Sequence, residues 1–244
     1  MKGKKRGLML AVPFCFFVLT AFNAYAVGLG GYLEYVRGWG TLNDYCDDNA
    51  TYDCDDEFEV EACGFGFVFD TNVSKDAVFN YRLQIGYSGL DADNDSGWDY
   101  SSRHDEFDGY RISFDNTFGF GIVKTSNFRL WLGPQIHLNY SNWDMSVGDD
   151  TYDIGDDSLD VFGFGTGFVL GMNFNLPGVV SICPEIGIRY QYNWADSDDE
   201  ETTYCYHYGS DSYCYDADID QDFSYDEWLV FFKINLLFRL GENG

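Results

Sequence analysis

An all-β fold, a closed antiparallel barrel of eight strands, is what this sequence predicts, and three observations predict it. Apolar residues recur with period two in eight separate segments, which puts successive side chains on opposite faces of a strand. The intervals between those segments alternate strictly between long and short. The face opposite the apolar one carries glycine, amides and charge, not a second apolar set. After residue 26 no run of about 18 apolar residues appears, so no helix is expected to span a membrane.

The chain opens with a basic stretch (Lys2, Lys4, Lys5, Arg6), an apolar run over 8–22 and Ala24-Tyr25-Ala26. That order predicts an export signal over 1–26, cleaved near Ala26, followed by one domain over 27–244. Strand by strand, 29–39 sets Leu29, Leu33 and Tyr35 against Tyr32 and Glu34, and 58–69 interleaves Phe65, Phe67 and Phe69 with Gly64 and Gly66. In 78–89, Phe79, Tyr81, Leu83, Ile85 and Tyr87 oppose Asn80, Arg82, Gln84, Gly86 and Ser88. In 109–122, Tyr110, Ile112, Phe114, Phe118, Phe120 and Ile122 oppose Arg111, Ser113, Asp115, Thr117 and Gly119. The segment 129–140 puts Leu130, Leu132, Ile136, Leu138 and Tyr140 against Arg129, Trp131, Gln135, His137 and Asn139. The segment 162–174 has glycine at 163, 165, 167 and 171 between Phe162, Phe164, Phe168, Leu170, Met172 and Phe174. In 180–194, alternate apolar residues oppose Ser181, Glu185, Gly187, Arg189, Gln191 and Asn193. The last segment, 228–240, opposes Trp228, Val230, Phe232, Ile234, Leu236, Phe238 and Leu240 to Lys233, Asn235 and Arg239.

The intervals 41–57, 90–108, 142–160 and 195–227 are long, and those between them, 70–77, 121–127 and 175–179, are short. A barrel that crosses a bilayer has short turns at one end and long loops at the other, with its apolar face outward and its polar face inward. The alternation therefore predicts a transmembrane barrel with short periplasmic turns and long extracellular loops. Tyr140, Tyr192, Trp194 and Trp228, near strand ends, are expected at the membrane interface. The glycines of 162–174 are expected inside, where small residues relieve crowding in a narrow lumen.

In this pattern the chain resembles the OmpA-like and OmpX-like small outer-membrane barrels over residues 27–240. The pieces most like that family are Gly28-Leu29-Gly30-Gly31-Tyr32 and the closing strand 230–240. The resemblance implies a place in the bacterial outer membrane, with outer-membrane lipid and the barrel-assembly machinery as partners. One departure stands out. The family ends its last strand on a terminal aromatic residue, whereas Phe238 and Leu240 are followed here by Gly241-Glu242-Asn243-Gly244.

The net charge is −27, and without the four basic residues of 1–26 ten Lys and Arg face 41 Asp and Glu. Nucleic acid is excluded as a partner, because binding it requires neutralising phosphates with cations. Of the 41 carboxylates, 33 fall in the four long intervals. The inward positions are expected to form a polar network from Glu34, Arg82, Arg111, Asp115, Arg129, Glu185, Arg189, Lys233 and Arg239, with cations in excess. From this follow a structural and surface-interaction role through acidic loops and, as the alternative, a small anion-preferring pore using that excess.

Asp91, Asp93 and Asp95 partly match the start of a calcium loop, although Gly97 comes one place late and Ser102 stands where a bidentate glutamate belongs. They are the candidate Ca²⁺ ligands; no other cofactor is expected. Six cysteines remain after residue 26. Cys46 with Cys54, and Cys205 with Cys214, are expected to form local disulfides in an oxidising compartment. The second pair flanks Gly209-Ser210, a two-residue turn signal, between Tyr204-Cys205-Tyr206 and Tyr213-Cys214-Tyr215. Such a tyrosine-rich hairpin suits contact with an extracellular ligand or host surface, and it is expected either to protrude or to bring the strand count to ten. Cys63 and Cys183 fall on opposite faces and are not expected to pair. No catalysis is expected. The alternative class is a surface-loop hydrolase, omptin-like through His104 beside Asp105, or lipid A-modifying.

Overall fold

The computed structural model describes residues 27–43, 57–73, 78–94, 104–125, 127–149, 152–154, 157–197, 201–208, 211–218 and 223–240. Eleven strands form in chain order: β1 (Val27–Asn43), β2 (Glu57–Asp70), β3 (Phe79–Asn94), β4 (His104–Lys124), β5 (Phe128–Asp149), β6 (Tyr152–Ile154), β7 (Asp157–Asn175), β8 (Val180–Ser197), β9 (Glu201–Tyr208), β10 (Asp211–Asp218) and β11 (Phe223–Leu240). Eight of them, β1, β2, β3, β4, β5, β7, β8 and β11, pair antiparallel in a ring that β11 closes onto β1.

The register fixes the shape of the ring. From Leu33, successive partners run through Phe65, Tyr87, Ile112, Tyr140, Phe162, Trp194 and Ser224 to Asn43. One circuit thus returns to β1 ten residues further along. With a rise of about 3.3 Å per residue and strands about 4.8 Å apart, that stagger tilts the strands by about 40°. A β-bulge between Gly121 and Val123 shifts the register of β4 on β5, and Ile122 and Val123 both face out there at 58% and 42% exposure.

Short connections join β2 to β3, β4 to β5 and β7 to β8 at one end, the turn end; long ones gather at the other, the loop end. In the β7–β8 turn Gly178 has φ 86°, a left-handed conformation that glycine adopts without steric cost. Arg239 closes this turn: its Nη2 donates to the carbonyl oxygens of Leu176, at 2.8 Å, and of Gly178.

At the loop end the strands run further than the sequence periodicity predicts. β5 reaches Asp149 and β7 begins at Asp157, both inside an interval read as loop. The hairpin of β9 and β10 does not enter the ring. Instead β6, in the connection between β5 and β7, pairs with both the end of β5 and β9. The barrel count stays at eight, and a small ledge of sheet extends from its loop end.

The calcium-loop expectation meets a different backbone. Asp91 and Asp93 lie in extended strand opposite Asp108 and Glu106 of β4, where a calcium loop needs a turn. Among the described residues no group of three His, Cys, Asp or Glu is placed to hold a metal ion. Asp95, Cys46, Cys54 and the segment 1–26 lie outside the described residues.

Candidate functional site

The interior is polar and the exterior apolar. Thirty-two large hydrophobic residues are exposed among the described residues, including Leu33 at 66%, Phe65 at 62% and Phe168 at 58%. A water-soluble monomer does not carry so extensive an apolar surface. Aromatic contacts run around its loop-end margin from Phe65 to Tyr87 (6.1 Å between centroids), Tyr110 (5.8 Å), Tyr140 (6.5 Å) and Phe162 (5.1 Å), across five strands. Tyr190 and Trp228 (5.1 Å) and Tyr192 and Trp194 (4.9 Å) continue it on the far side. Such rings, apolar in body and polar at the tip, are suited to the boundary of lipid and water. Tyr81 keeps its outward phase but is covered there. It is fully buried under neighbouring rings, packs on Phe118 and donates its hydroxyl to Asn116 Oδ1 at 2.6 Å.

Inside, charged groups assemble around Asp115 of β4. Its carboxylate lies 3.1 Å from Arg189 Nη1 (β8), accepts from Lys233 Nζ (β11) and sits 2.6 Å from His137 Nδ1 (β5). Lys233 also reaches Glu34 of β1 at 3.2 Å. Four strands on different sides of the ring are thereby tied through one carboxylate. Nearer the turn end Arg82 bridges Asp70, at 2.6 Å, and Glu185, while Gln84 donates to Asn235 Oδ1 at 2.7 Å. Nearer the loop end Arg111 pairs with Glu227 at 3.3 Å, and Gln191 donates to the same carboxylate. Arg129 donates to the Asn72 carbonyl at 2.9 Å and to Asn80 Oδ1 at 3.0 Å.

Two expectations change here. Arg239 is not part of this network; it sits at the turn-end rim on backbone carbonyls, because the last residues of β11 pass below the charged layer. The expected excess of cations is also absent. Arg82, Arg111, Arg129, Arg189 and Lys233 share the lumen with Glu34, Asp70, Asp115, Glu185 and Glu227, five of each sign among the described residues. Asp70 and Glu227 were hidden because each lies at the edge of an interval read as a connection. Both continue the inward phase of their strands, Asp70 from Val68 and Glu227 towards Leu229, and that phase was the available signal.

Apolar layers lie on both sides of the charges. At the loop end Val36, Val60, Leu90, Trp143, Val161 and Tyr225 pack inward as one cluster, with Phe58 partly buried against it. At the turn end the chain after β2 folds across the mouth, and Val73, fully buried, meets Tyr32, Val68, Cys183 and Leu237. Among the described residues Cys63 and Cys183 are free and separated by the barrel wall: Cys63 is exposed outside and Cys183 buried inside.

Glycines make room for the large inward side chains. A Cβ at Gly171 would strike the Trp131 ring, one at Gly66 or Gly86 would strike Tyr32, and one at Gly187 would strike Phe231. Those aromatic faces in turn receive the cations. Arg82 lies 5.0 Å from the centroid of Trp131, Arg189 5.2 Å from Phe231, and Lys233 4.9 Å from Tyr32.

No protein-family model matches the sequence, and no curated protein matches it. Among solved structures the chain is similar to Neisserial surface protein A (12% identity, TM-score 0.38, covering 85% of this chain and 98% of that one). It is also similar to the outer membrane protein OprG from Pseudomonas aeruginosa (11%, TM-score 0.45, 88% and 96%) and to a major outer membrane protein from Thermus thermophilus (10%, TM-score 0.43, 86% and 99%). Likenesses at this level concern general architecture and nothing finer. The assignment rests on the molecule's own surfaces. A closed ring leaves no strand edge to lipid, its outside is apolar with an aromatic margin apart from an exposed Arg37–Glu59–Glu61 cluster, and its buried charges are inside. The chain folds as a small, closed eight-stranded β-barrel whose outer wall is suited to lipid.

Proposed function

We propose that this protein is a closed, non-conducting barrel that anchors in the outer membrane and presents its loop end at the cell surface for interaction. The observation that carries the reading is the lumen: a charge-balanced network of buried side chains between two apolar layers. An ion crossing such a barrel would have to shed water against Val73 at one mouth and the Trp143 cluster at the other, which is costly without compensating contacts. The balance of five cations and five carboxylates also removes the basis of an anion-preferring pore.

In this reading the short turns and the turn-end residues Val27 of β1 and Leu240 of β11 are periplasmic and the acidic loops extracellular. We read the role as non-enzymatic; His137 is sealed in the lumen against Asp115, where it serves the network.

Two measurements test it together. Purified protein in planar bilayers is expected to give no reproducible unitary openings, and protease added to whole cells is expected to cut within the long connections while sparing a barrel fragment. Regular openings would overturn the closed-barrel reading. Cleavage confined to permeabilised cells would overturn the surface reading.

A further inference from the structure

The charges of the lumen balance in number but not in contact. Arg82 holds two carboxylates, Asp70 and Glu185, and Asp115 holds two cations, Arg189 and Lys233. Among the described residues no carboxylate pairs with Arg129. Its side chain is fully buried at the turn end, where Nη1 donates to the Asn72 carbonyl and Nη2 to Asn80 Oδ1, while Nε finds no acceptor. Asp70 is engaged by Nε and Nη2 of Arg82 and by Asn80 Nδ2, so the Asn80 amide stands between that carboxylate and Arg129. A second donor lies beside it. Asn173 of β7 is the direct register partner of Arg129 and is also fully buried. Its Oδ1 accepts from Trp131 Nε1 at 3.1 Å and from Arg82 Nη2 at 3.3 Å, which leaves Nδ2 as the end without a partner.

We propose that Arg129 and Asn173 form an internal binding site for a dehydrated monovalent anion of halide size, held between Arg129 Nε and Asn173 Nδ2. Both unpartnered atoms are donors, and one belongs to a cation, so the pair selects a negatively charged acceptor. A guanidinium keeps its proton when buried, and a buried charge without a partner is costly. Direct register partners on antiparallel strands lie about 5 Å apart, a span across which one small ion can accept from both. Two donors are too few for the four oxygens of sulfate or phosphate, whose dehydration costs more. The chain at 72–73 closes the mouth here, with Val73 fully buried, so the ion is a resident counter-ion of the lumen and not a conducted one.

The test follows the urea unfolding midpoint of the purified protein in detergent micelles at constant ionic strength, as sodium gluconate is replaced stepwise by sodium chloride or sodium bromide. An ion that binds the folded state alone raises the midpoint with its concentration. The parent is expected to gain stability from both halides. Asn173→Asp places a fixed carboxylate oxygen where the amide nitrogen was, and it is expected to hold its barrel without halide and to lose the halide dependence. Lys124→Gln alters the exposed register partner of Arg129 on β4 and is expected to keep the parent's dependence. Bromide-soaked crystals of the parent are expected to show an anomalous peak within hydrogen-bonding reach of Arg129 Nε and Asn173 Nδ2.

Stability of the parent that ignores which anion is present overturns the proposal, as does a halide dependence undiminished in Asn173→Asp. Equal loss in Lys124→Gln overturns it too, because the effect then belongs to the exposed rim. If Asn173→Asp fails to fold, the bromide experiment on the parent decides. A peak beside both nitrogens supports the site, and its absence there overturns it.

Discussion

Asp115 shows how one residue replaces a hydrophobic core. Fully buried, it serves Arg189, Lys233 and His137, groups from three other strands. Deleting one partner of a buried ionic network leaves charges that water cannot reach, at a cost of about 3–5 kcal/mol. Asp115→Ala is therefore expected to lower the barrel's unfolding free energy by about that amount in urea titrations from lipid vesicles. Exchange on the outer wall obeys a different rule. Ile186, outward at 48% exposure, should tolerate valine, whereas Ile186→Arg puts a charge in the apolar band at about 2–4 kcal/mol; the same change at Trp228 by the margin should cost about 1 kcal/mol or less. Equal costs at the two sites would contradict the placement of the margin.

At the scale of elements, β7 is explained by β5 and β8. Its glycines are inward because Trp131, Asn139, Asn193 and the backbone of β8 occupy the space where their side chains would be. Gly171→Val is expected to destabilise the barrel by about 1–3 kcal/mol through overpacking against Trp131. Adding Trp131→Leu should recover part of that loss, with a coupling of about 1 kcal/mol or more in a double-mutant cycle. Additive effects would show that the two do not meet. In the ledge, Cys205 and Cys214 are direct register partners, the pairing a two-residue turn at Gly209-Ser210 implies. We expect peptide mapping without reductant to find them joined, and two free thiols in that fragment would end the expectation.

At the scale of the molecule, the ten-residue stagger, the tilt and the diameter are one constraint. Eight strands enclose a space that side chains fill, and this chain fills it in layers: apolar, charged, apolar. The layers explain why a lumen rich in polar residues is still expected to be electrically silent in planar bilayers. Double substitution of the stoppers, Val73→Ser with Trp143→Ser, is expected to raise the frequency of brief openings over the parent by removing the dehydrating contacts at each mouth. Unchanged silence would place the barrier in the ionic layer itself.

The eight strands, their inward and outward faces and the alternation of short and long connections were legible in the sequence, because each depends on a period of two along one strand. Arg82, Arg111, Asp115, Glu185, Arg189 and Lys233 were legible as inward for the same reason. Their partners were not. Which carboxylate meets which cation depends on the stagger between strands distant in sequence, as Glu34, Asp115 and Lys233 illustrate. Local boundaries misled as well: Asp70 and Glu227 sat one step outside the strands, and with them restored and Arg239 moved to the rim the expected surplus of cations vanished. Tertiary structure alone decided that apolar residues also face inward at both mouths, that Arg239 holds a turn and that β6 recruits the tyrosine hairpin into a sheet. Periodicity along a chain determines faces; only closure of the ring and the register across it determine what those faces meet.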